Sequence, residues 1–265
     1  MSAAAIAPAA RESLLGRSDA VVKLAGALLL TAVLVVSADP VTSGVVLAGE
    51  LVLLGLTGQR PFALLLRAWP VVLAALVSGW ATVLLAEDSG PVLLDLGVTE
   101  LSAGAVSAGA AIALRGLALA LPGLMVVLST DPTDLADGLA QTVRLPARFV
   151  LASLAALRLV GVMFTEWNTL AMARRARGAG SGRGPVAALR EFGGQAFTLL
   201  VQSLRRATRL SVTMEARGFG AGPRTWARVP HRSWRDAAVL AGCAAVAAAG
   251  PSVSLLVGAH RFIWA

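Results

Sequence analysis

Five long apolar stretches dominate the pattern of hydrophobic and polar positions along the chain. Crossing the ~30 Å hydrocarbon core of a bilayer takes about 20 helical residues, and these stretches come close to or exceed that length. They are Ala20–Ser37, Val41–Thr57, Phe62–Ala86, Leu101–Leu128 and Asp236–Val257. Lipid offers no hydrogen-bond partner for backbone N–H and C=O groups, so each stretch is predicted to be helical. The first two stretches are short, and the Asp39-Pro40 turn between them predicts a tight helical hairpin.

A different pattern occupies Arg144–Arg235, which holds 16 of the 23 basic residues and only three acids. Its two apolar segments, Phe149–Phe164 and Ala196–Met214, carry arginines near their centres. Burying one such arginine in lipid costs about 2.5 kcal/mol or more. We therefore predict two amphipathic helices of about 30 residues that lie at the cytoplasmic face of the membrane. Proline at the helix starts and glycine after the helix ends mark their bounds: Pro146, Pro185, Gly178, Gly180, Gly218, Gly220, Gly222 and Pro223.

These patterns predict an all-α integral membrane protein with about five transmembrane helices and two long cytoplasmic amphipathic helices inserted before the last span. Residues 1–18 are expected to form a disordered cytoplasmic tail, and residues 19–130 hold transmembrane helices 1–4. Residues 131–233 form the cytoplasmic helical region, and residues 234–265 hold the last transmembrane helix and the C-terminus. In the last span, the ridge of Ala237, Ala241, Ala245 and Ala249 is expected to let another helix approach closely.

The placement of charge predicts the orientation in the membrane. Arg11, Arg17 and Lys23 precede or begin the first span, whereas the loop Glu87–Glu100 carries four acids and no basic residue. The positive-inside rule then places the N-terminus in the cytoplasm and this loop outside. Five spans would place the C-terminus outside as well.

The composition favours the bilayer as solvent and excludes several classes of function. The chain is 57% hydrophobic and 14% charged, against about a quarter charged in soluble domains. Its only lysine, Lys23, lies between Val22 and Leu24, so the chain has no P-loop and is not expected to be an enzyme. His231, His260 and the single Cys243 lie far apart in the sequence, so neither a metal site nor a cofactor is expected.

The net charge of +8 raises the question of a polyanionic partner. The basic region contains neither interleaved aromatic residues nor a known nucleic-acid-binding module, so no nucleic acid is expected. Anionic lipid of the inner leaflet is the simpler partner, at about 1 kcal/mol per surface arginine.

The two predicted cytoplasmic helices end in the same sequence, 40 residues apart. Arg175–Gly180 and Glu215–Gly220 share the core Ala-Arg-Gly-x-Gly, which presents Arg177 or Arg217 beside a glycine that lets the chain reverse. The planar arginine fork suits bidentate pairing with a carboxylate, and cations are favoured at helix C-termini. Such tripeptides also arise by chance in a chain rich in Ala, Arg and Gly. Two copies at two helix ends nevertheless indicate two similar receiving sites, as on a dimer of homologous subunits.

The twin Ala-Arg-Gly motifs resemble those of the transmembrane (T) component of energy-coupling factor (ECF) transporters, a family that includes the permease subunit of cobalt importers. Ser129–Leu135 resembles that family's Thr-x-(Ser/Pro)-x-x-(Asp/Glu)-Leu start, and Arg144–Pro146 resembles its Leu-Pro entry to the first long coupling helix. The resemblance covers roughly residues 101–236, and the remaining spans match only in hydropathy.

This resemblance implies a multi-pass scaffold subunit of an ECF-type ABC importer in the bacterial cell (inner) membrane. Such a subunit couples ATP hydrolysis by two partner ATPase subunits to uptake of a vitamin or metal ion through a separate substrate-binding membrane subunit. The residues that the resemblance assigns to ATPase docking are Ala176, Arg177, Gly178, Ala216, Arg217 and Gly218.

The main alternative is a self-contained secondary transporter or channel. It predicts ionisable residues around a cavity at mid-depth in the membrane, and only Glu50 and Arg115 lie near that depth. These two residues are predicted to pair with each other inside the bundle, because an unpaired charge at that depth is costly. A membrane enzyme acting on lipid would need a His/Asp/Glu constellation at the interface, and the sequence has none.

Overall fold

A computed structural model describes residues 18–37, 39–57, 66, 68–85, 92–95, 100–178, 184–222, 225–226, 229 and 233–258. Within these residues the chain is helical, apart from one short β-hairpin. The elements are α1 (Ala20–Val36), α2 (Pro40–Leu56), α3 (Trp69–Leu85), β1 (Val92–Asp95), β2 (Glu100–Ser102), α4 (Ala103–Ser129), α5 (Pro132–Gln141), α6 (Ala147–Ala176), α7 (Pro185–Ala216) and α8 (Trp234–Val257).

The all-α fold class is confirmed, with a hairpin inside the loop that precedes α4 as the one departure. β1 and β2 pair antiparallel, with Asp95 opposite Glu100 and Val92 opposite Ser102. The predicted tail up to residue 17, the start of the third span at residues 62–65 and the acidic residues Glu87 and Asp88 lie outside the described residues.

Polar side chains cap the starts of several helices. Asp19, Asp39 and Ser102 accept hydrogen bonds from backbone N–H groups in the first turns of α1, α2 and α4. Asp131 does the same for Thr133 at 2.8 Å, at the start of α5.

The chain divides into two compact units, Met1–Gly138 with Pro230–Ala265, and Leu139–Val229. The first unit is a bundle of α1, α2, α3, α4 and α8, in which α4 packs against α1, α2 and α3, and α8 packs against α1 and α2. We call one end of this bundle the Lys23 end, where α1 and α8 begin and α2 and α4 finish. The other is the Asp39 end, where the chain turns from α1 into α2.

The bundle is held by an aliphatic core and by close helix contacts at small residues. Leu34, Val46 and Ala118 are fully buried at its centre. A Cβ atom added to Gly109 of α4 would lie 2.5 Å from the carbonyl oxygen of Gly79 in α3, so this crossing requires glycine. Short side chains let helix backbones approach in lipid, where apolar burial adds little between helices.

Three of the described helices are long and apolar enough to cross a membrane: α4, α6 and α8. The apolar helices α1, α2 and α3 have 17 residues each, the lower limit for a span. The helix α6 includes the segment Phe149–Phe164, which the sequence analysis assigned to the cytoplasmic surface because of Arg158. Its length and composition also permit a crossing, so its surface location stays a prediction.

Candidate docking ends and bundle interior

The first Ala-Arg-Gly motif ends α6 in a tight turn. Arg177 follows the last helical residue with φ −89° and ψ 9°, and its backbone N–H donates to the carbonyl of Arg174 at 3.1 Å. Gly178 then takes φ +81°, in the left-handed region that favours glycine. A Cβ atom on Gly178 would meet nothing within 4 Å, so its backbone conformation rather than space requires glycine.

The second motif ends α7 in the same conformation. Arg217 has φ −88° and ψ 9°, and Gly218 has φ +73°. The N–H of Gly218 donates to Glu215 at 2.9 Å, as the N–H of Gly178 donates to Arg175 at 3.0 Å. The predicted glycine stops are therefore confirmed at both helices. Both arginine side chains are exposed within the second unit.

The second motif lies beside the first turn of α6. Arg148, in the first turn of α6, donates from Nη2 to the carbonyl oxygen of Gly220 at 3.2 Å. A cleft of about 890 Å³ lies beside this contact, lined by Leu151, Arg217 and Phe219 among others. Arg148 was not predicted from the sequence to have a role. The helix dipole disfavours a cation in the first turn of a helix. The position of Arg148 in the first turn of α6 therefore indicates a contact outside that helix.

The helices α6 and α7 run antiparallel and meet through polar and aromatic contacts. Glu166 forms an ion pair with Arg206, and the rings of Trp167 and Phe192 lie 5.2 Å apart. Gln195 donates from Nε2 to the carbonyl oxygen of Trp167 at 2.7 Å. Because the helices run in opposite directions, their C-terminal arginines lie at opposite ends of the pair.

The predicted pairing of Glu50 with Arg115 is wrong. Arg115 donates from Nη2 to the carbonyl oxygen of Val35 at 3.3 Å, and no contact joins it to Glu50. Val35 lies in the last turn of α1, where carbonyl groups lack helical partners and the dipole attracts a cation. The guanidinium thus reaches a helix end instead of a carboxylate deeper in the bundle.

The Lys23 end of the bundle carries a polar network that the hydropathy pattern did not predict. Lys23 donates from Nζ to the carbonyl oxygen of Ser129 at 3.0 Å, which ties α1 to the end of α4. Asp236 accepts from the backbone N–H of Asp19 at 2.8 Å and from that of Ser233 at 2.7 Å. These contacts join the starts of α1 and α8.

Comparisons with known proteins agree on one family. The family model of CbiQ, described as a cobalt transport protein, matches residues 11–226. A protein of Bacillus selenitireducens named energy-coupling factor transporter transmembrane protein EcfT is 27% identical over 242 residues, which cover 87% of this chain and 89% of the relative. A Bacillus subtilis protein of the same name is 25% identical over 170 residues, covering 61% of this chain and 64% of the relative.

Proposed function

Because this chain belongs to the CbiQ family of cobalt transport proteins, we propose that it is the scaffold subunit of an ECF-type ABC importer in the cell membrane. In this proposal it couples ATP hydrolysis by two partner ATPase subunits to uptake through a separate substrate-binding membrane subunit. The substrate class is a vitamin or a metal ion. The chain itself supplies no P-loop, so the ATPase subunits provide the hydrolysis.

The observation that carries the proposal is the matched geometry of the two Ala-Arg-Gly ends. Arg177 and Arg217 follow their helices with backbone angles that agree within 1°. A glycine after a helix commonly takes this conformation, so what supports the proposal is its repetition: both long helices end with the same tripeptide and an exposed arginine. A pair of equivalent receiving sites, each with a carboxylate for the arginine fork, accounts for the duplication.

The antiparallel arrangement of α6 and α7 fits two partners better than one. With a rise of 1.5 Å per residue, helices of this length place their ends roughly 45 Å apart. That spacing suits two docking sites on neighbouring ATPase subunits and is too long for one small pocket. The small residues Ala176, Gly178, Ala216 and Gly218 keep each end narrow enough to enter a groove.

The exposed apolar side chains of α6 and α7 fit the remaining partners. Phe149, Phe164 and Leu157 are largely exposed along α6, as are Phe197 and Leu204 along α7. Exposed apolar area of this extent marks an interaction surface. We assign it to the substrate-binding subunit and to lipid acyl chains, with the surrounding arginines facing anionic headgroups of the inner leaflet.

Substitution of the two arginines tests the docking assignment. Arg177→Ala or Arg217→Ala leaves a partner carboxylate unpaired, which costs about 2–5 kcal/mol for a buried charge pair. Each single variant should lower the affinity for the ATPase subunits at least about thirtyfold, and the double variant should not assemble. The measurement is co-purification of ATPases with the tagged chain.

Arg175→Ala and Arg209→Ala are the matched controls. Both arginines are exposed on the same two helices but lie outside the Ala-Arg-Gly core. They should retain the ATPases as the unmodified chain does. If the Arg177/Arg217 double variant retains them equally well, the docking assignment is wrong. Mass spectrometry of the same preparations identifies the substrate-binding subunit.

A further inference from the structure

Residues 218–221, which we call the α7 turn, reverse the chain twice directly after Arg217. At the end of α7, the N–H of Phe219 donates to the carbonyl oxygen of Met214 at 3.0 Å. This bond belongs to a Schellman motif, in which Gly218 takes φ +73°. A second reversal follows at once, and the residue within it, Gly220, has φ +84°.

The side chain of Arg148 fastens the α7 turn to the start of α6. Its Nη2 donates to the carbonyl oxygen of Gly220 at 3.2 Å. A Cβ atom added to Gly220 would lie 2.8 Å from Nη2, 2.9 Å from Nε and 3.1 Å from Cζ of Arg148. The guanidinium therefore packs directly against the backbone of Gly220, and a side chain at this position would displace it. Glycine is thus required here both by its positive φ and by the arginine that lies on it.

The charge of Arg148 is unfavourable for its own helix and favourable for α7. In the first turn of α6, a cation meets the positive end of the helix dipole. The C-terminus of α7, which the α7 turn follows, presents the negative end of its dipole. The two dipoles therefore direct the guanidinium away from α6 and onto the α7 turn.

The cleft of about 890 Å³ beside this contact is lined by both Arg148 and Arg217. Leu151, Met214 and Phe219 contribute apolar surface to it. Among the described residues that line the cleft none is acidic, so its charge is positive. A partner segment with a carboxylate for the arginine fork suits this cleft. Because the α7 turn forms one wall, a displacement of the turn would change the surface that such a segment meets.

We propose that Arg148 is a positioning residue of the second docking end: its guanidinium holds the α7 turn against α6, so that Arg217 meets the ATPase carboxylate beside a preformed cleft. This inference rests on the proposed docking function of Arg217. A segment that already has its bound conformation pays less ordering entropy when it binds. Without Arg148 the turn would occupy the docking arrangement for only a fraction of the time, and the apparent affinity would fall by that fraction.

The affinity of the full-length chain for the ATPase subunits that co-purify with it tests this role, by biolayer interferometry in detergent. Arg148→Ala should weaken binding about tenfold, because a hydrogen bond from a charged donor biases the turn by about that factor. Arg148→Lys keeps the charge and one donor but not the fork, and should recover part of the affinity. Arg190→Ala is the matched control: it removes an exposed arginine near the start of α7 and should bind as the unmodified chain does.

Two variant backgrounds distinguish positioning from an independent contact. In Arg217→Ala the arginine that Arg148 positions is absent, so adding Arg148→Ala should not lower the affinity further. In Arg177→Ala the second end is intact, so adding Arg148→Ala should again lower the affinity about tenfold. An equal loss in both backgrounds would show that Arg148 acts independently of Arg217 and would overturn the proposal.

Hydrogen exchange of the chain without its partners shows whether Arg148 holds the turn. The N–H of Phe219 donates to Met214 at 3.0 Å and that of Ala221 to Gly218 at 3.1 Å, so the exchange of these two amides reports on the α7 turn. In Arg148→Ala both should exchange about tenfold faster, while amides in the middle of α7 keep their rates. A general loss of structure would accelerate exchange in the helix as well.

Three further outcomes overturn the proposal: unchanged affinity in Arg148→Ala, unchanged exchange of the α7 turn, or full recovery of the affinity in Arg148→Lys while exchange stays fast. The last outcome would mean that the charge of residue 148 acts, and not the position of the turn. If Arg217→Ala itself binds the ATPases as the unmodified chain does, the proposed docking function is wrong, and the role of Arg148 is wrong with it.

Discussion

Asp39 is a 1% exposed carboxylate in the turn between α1 and α2. It accepts a hydrogen bond from the backbone N–H of Thr42 at 2.8 Å, and its own backbone carbonyl accepts from the hydroxyl of Ser43 at 3.2 Å. These contacts begin α2 directly after the turn, with Pro40 in the first helical position. The N-cap therefore fixes the hairpin that the Asp39-Pro40 sequence predicts.

Replacing Asp39 should destabilise the bundle in a graded way. Asp39→Ala removes the cap and should lower the free energy of unfolding by about 1–2 kcal/mol. Asp39→Asn keeps an acceptor and should cost less. Thermal unfolding of the detergent-solubilised protein measures both. Equal stability of the unmodified chain and Asp39→Ala would contradict the assigned role of the cap.

The same residue gives a pH dependence with a defined sign. Burial tends to raise the pKa of Asp39, but the hydroxyl groups of Ser254 and Thr42 and the Thr42 N–H lower it by more, so that the net pKa lies below its ordinary value. A carboxyl group with a lowered folded-state pKa stabilises the fold fully above its unfolded value of about 3.9. That contribution disappears as the pH falls through the folded-state value. The stability difference between the unmodified chain and Asp39→Asn should therefore shrink below about pH 4.

At the scale of elements, the location of α6 decides the topology. Its length and composition permit a crossing, whereas Arg158 within it and the arginines at both of its ends favour the cytoplasmic surface. A crossing would bury one arginine and move one basic cluster to the outside, against the positive-inside rule. The cost of about 2.5 kcal/mol or more for the buried arginine favours the surface location.

Cysteine accessibility tests this location in a Cys243→Ser background. A cysteine at Gly90 should react only with a reagent added outside, and cysteines at Ser181 and Gly222 only with a reagent that reaches the cytoplasm. Gly90 and Ser181 lie outside the described residues. The labelling pattern reports the side of the membrane on which each position lies, which the helix bounds do not give. Labelling of position 181 from outside would mean that α6 spans the membrane and would overturn its proposed role as a coupling helix.

At the scale of the whole molecule, each of the two units has a different role in the proposed scaffold. In this proposal, the bundle of α1 to α4 with α8 holds the chain in the membrane, and the Leu139–Val229 unit presents the proposed docking ends. Neither unit contains a P-loop, since Lys23 is the only lysine. In the proposed complex, the partner ATPase subunits supply the ATP hydrolysis.

Uptake assays distinguish this scaffold from a self-contained transporter. Vesicles that hold this chain alone should not accumulate a vitamin or metal ion under an ion gradient. Vesicles that also hold the co-purifying ATPases and substrate-binding subunit should accumulate it with ATP, and the Arg177/Arg217 double alanine variant should abolish that uptake. Gradient-driven uptake by the chain alone would favour the secondary transporter.

The ends of the helices could be predicted from local sequence. Pro185 opens α7, Gly178 and Gly218 follow α6 and α7, and Asp39 caps α2, each within a residue or two of the expected position. Caps, prolines and left-handed glycines act on the backbone within one turn, so their effect is visible without the fold. The ATPase contacts assigned to Arg177 and Arg217 remain predictions.

The contacts between helices could not be predicted in the same way. The alanine ridge Ala237, Ala241, Ala245 and Ala249 is exposed within the described bundle, so the expected approach of another helix there stays a prediction. Asp236, Ala247, Gly250 and Ser254 form the buried face of α8 instead. In an almost uniformly apolar helix, every face could pack against a neighbour. The face that is buried is determined by the contacts with neighbouring helices.

The sequence by itself determined the all-α membrane class and the bounds of α6 and α7 with their twin arginine ends, because hydropathy, prolines and glycine stops are local properties. The tertiary structure alone decided that Arg115 reaches the end of α1, that Lys23 joins α1 to α4, and that Glu50 faces an apolar cavity. These contacts depend on the rotation and depth of each helix against its neighbours. A rotation of one residue, 100° around the axis, is enough to exchange one partner for another.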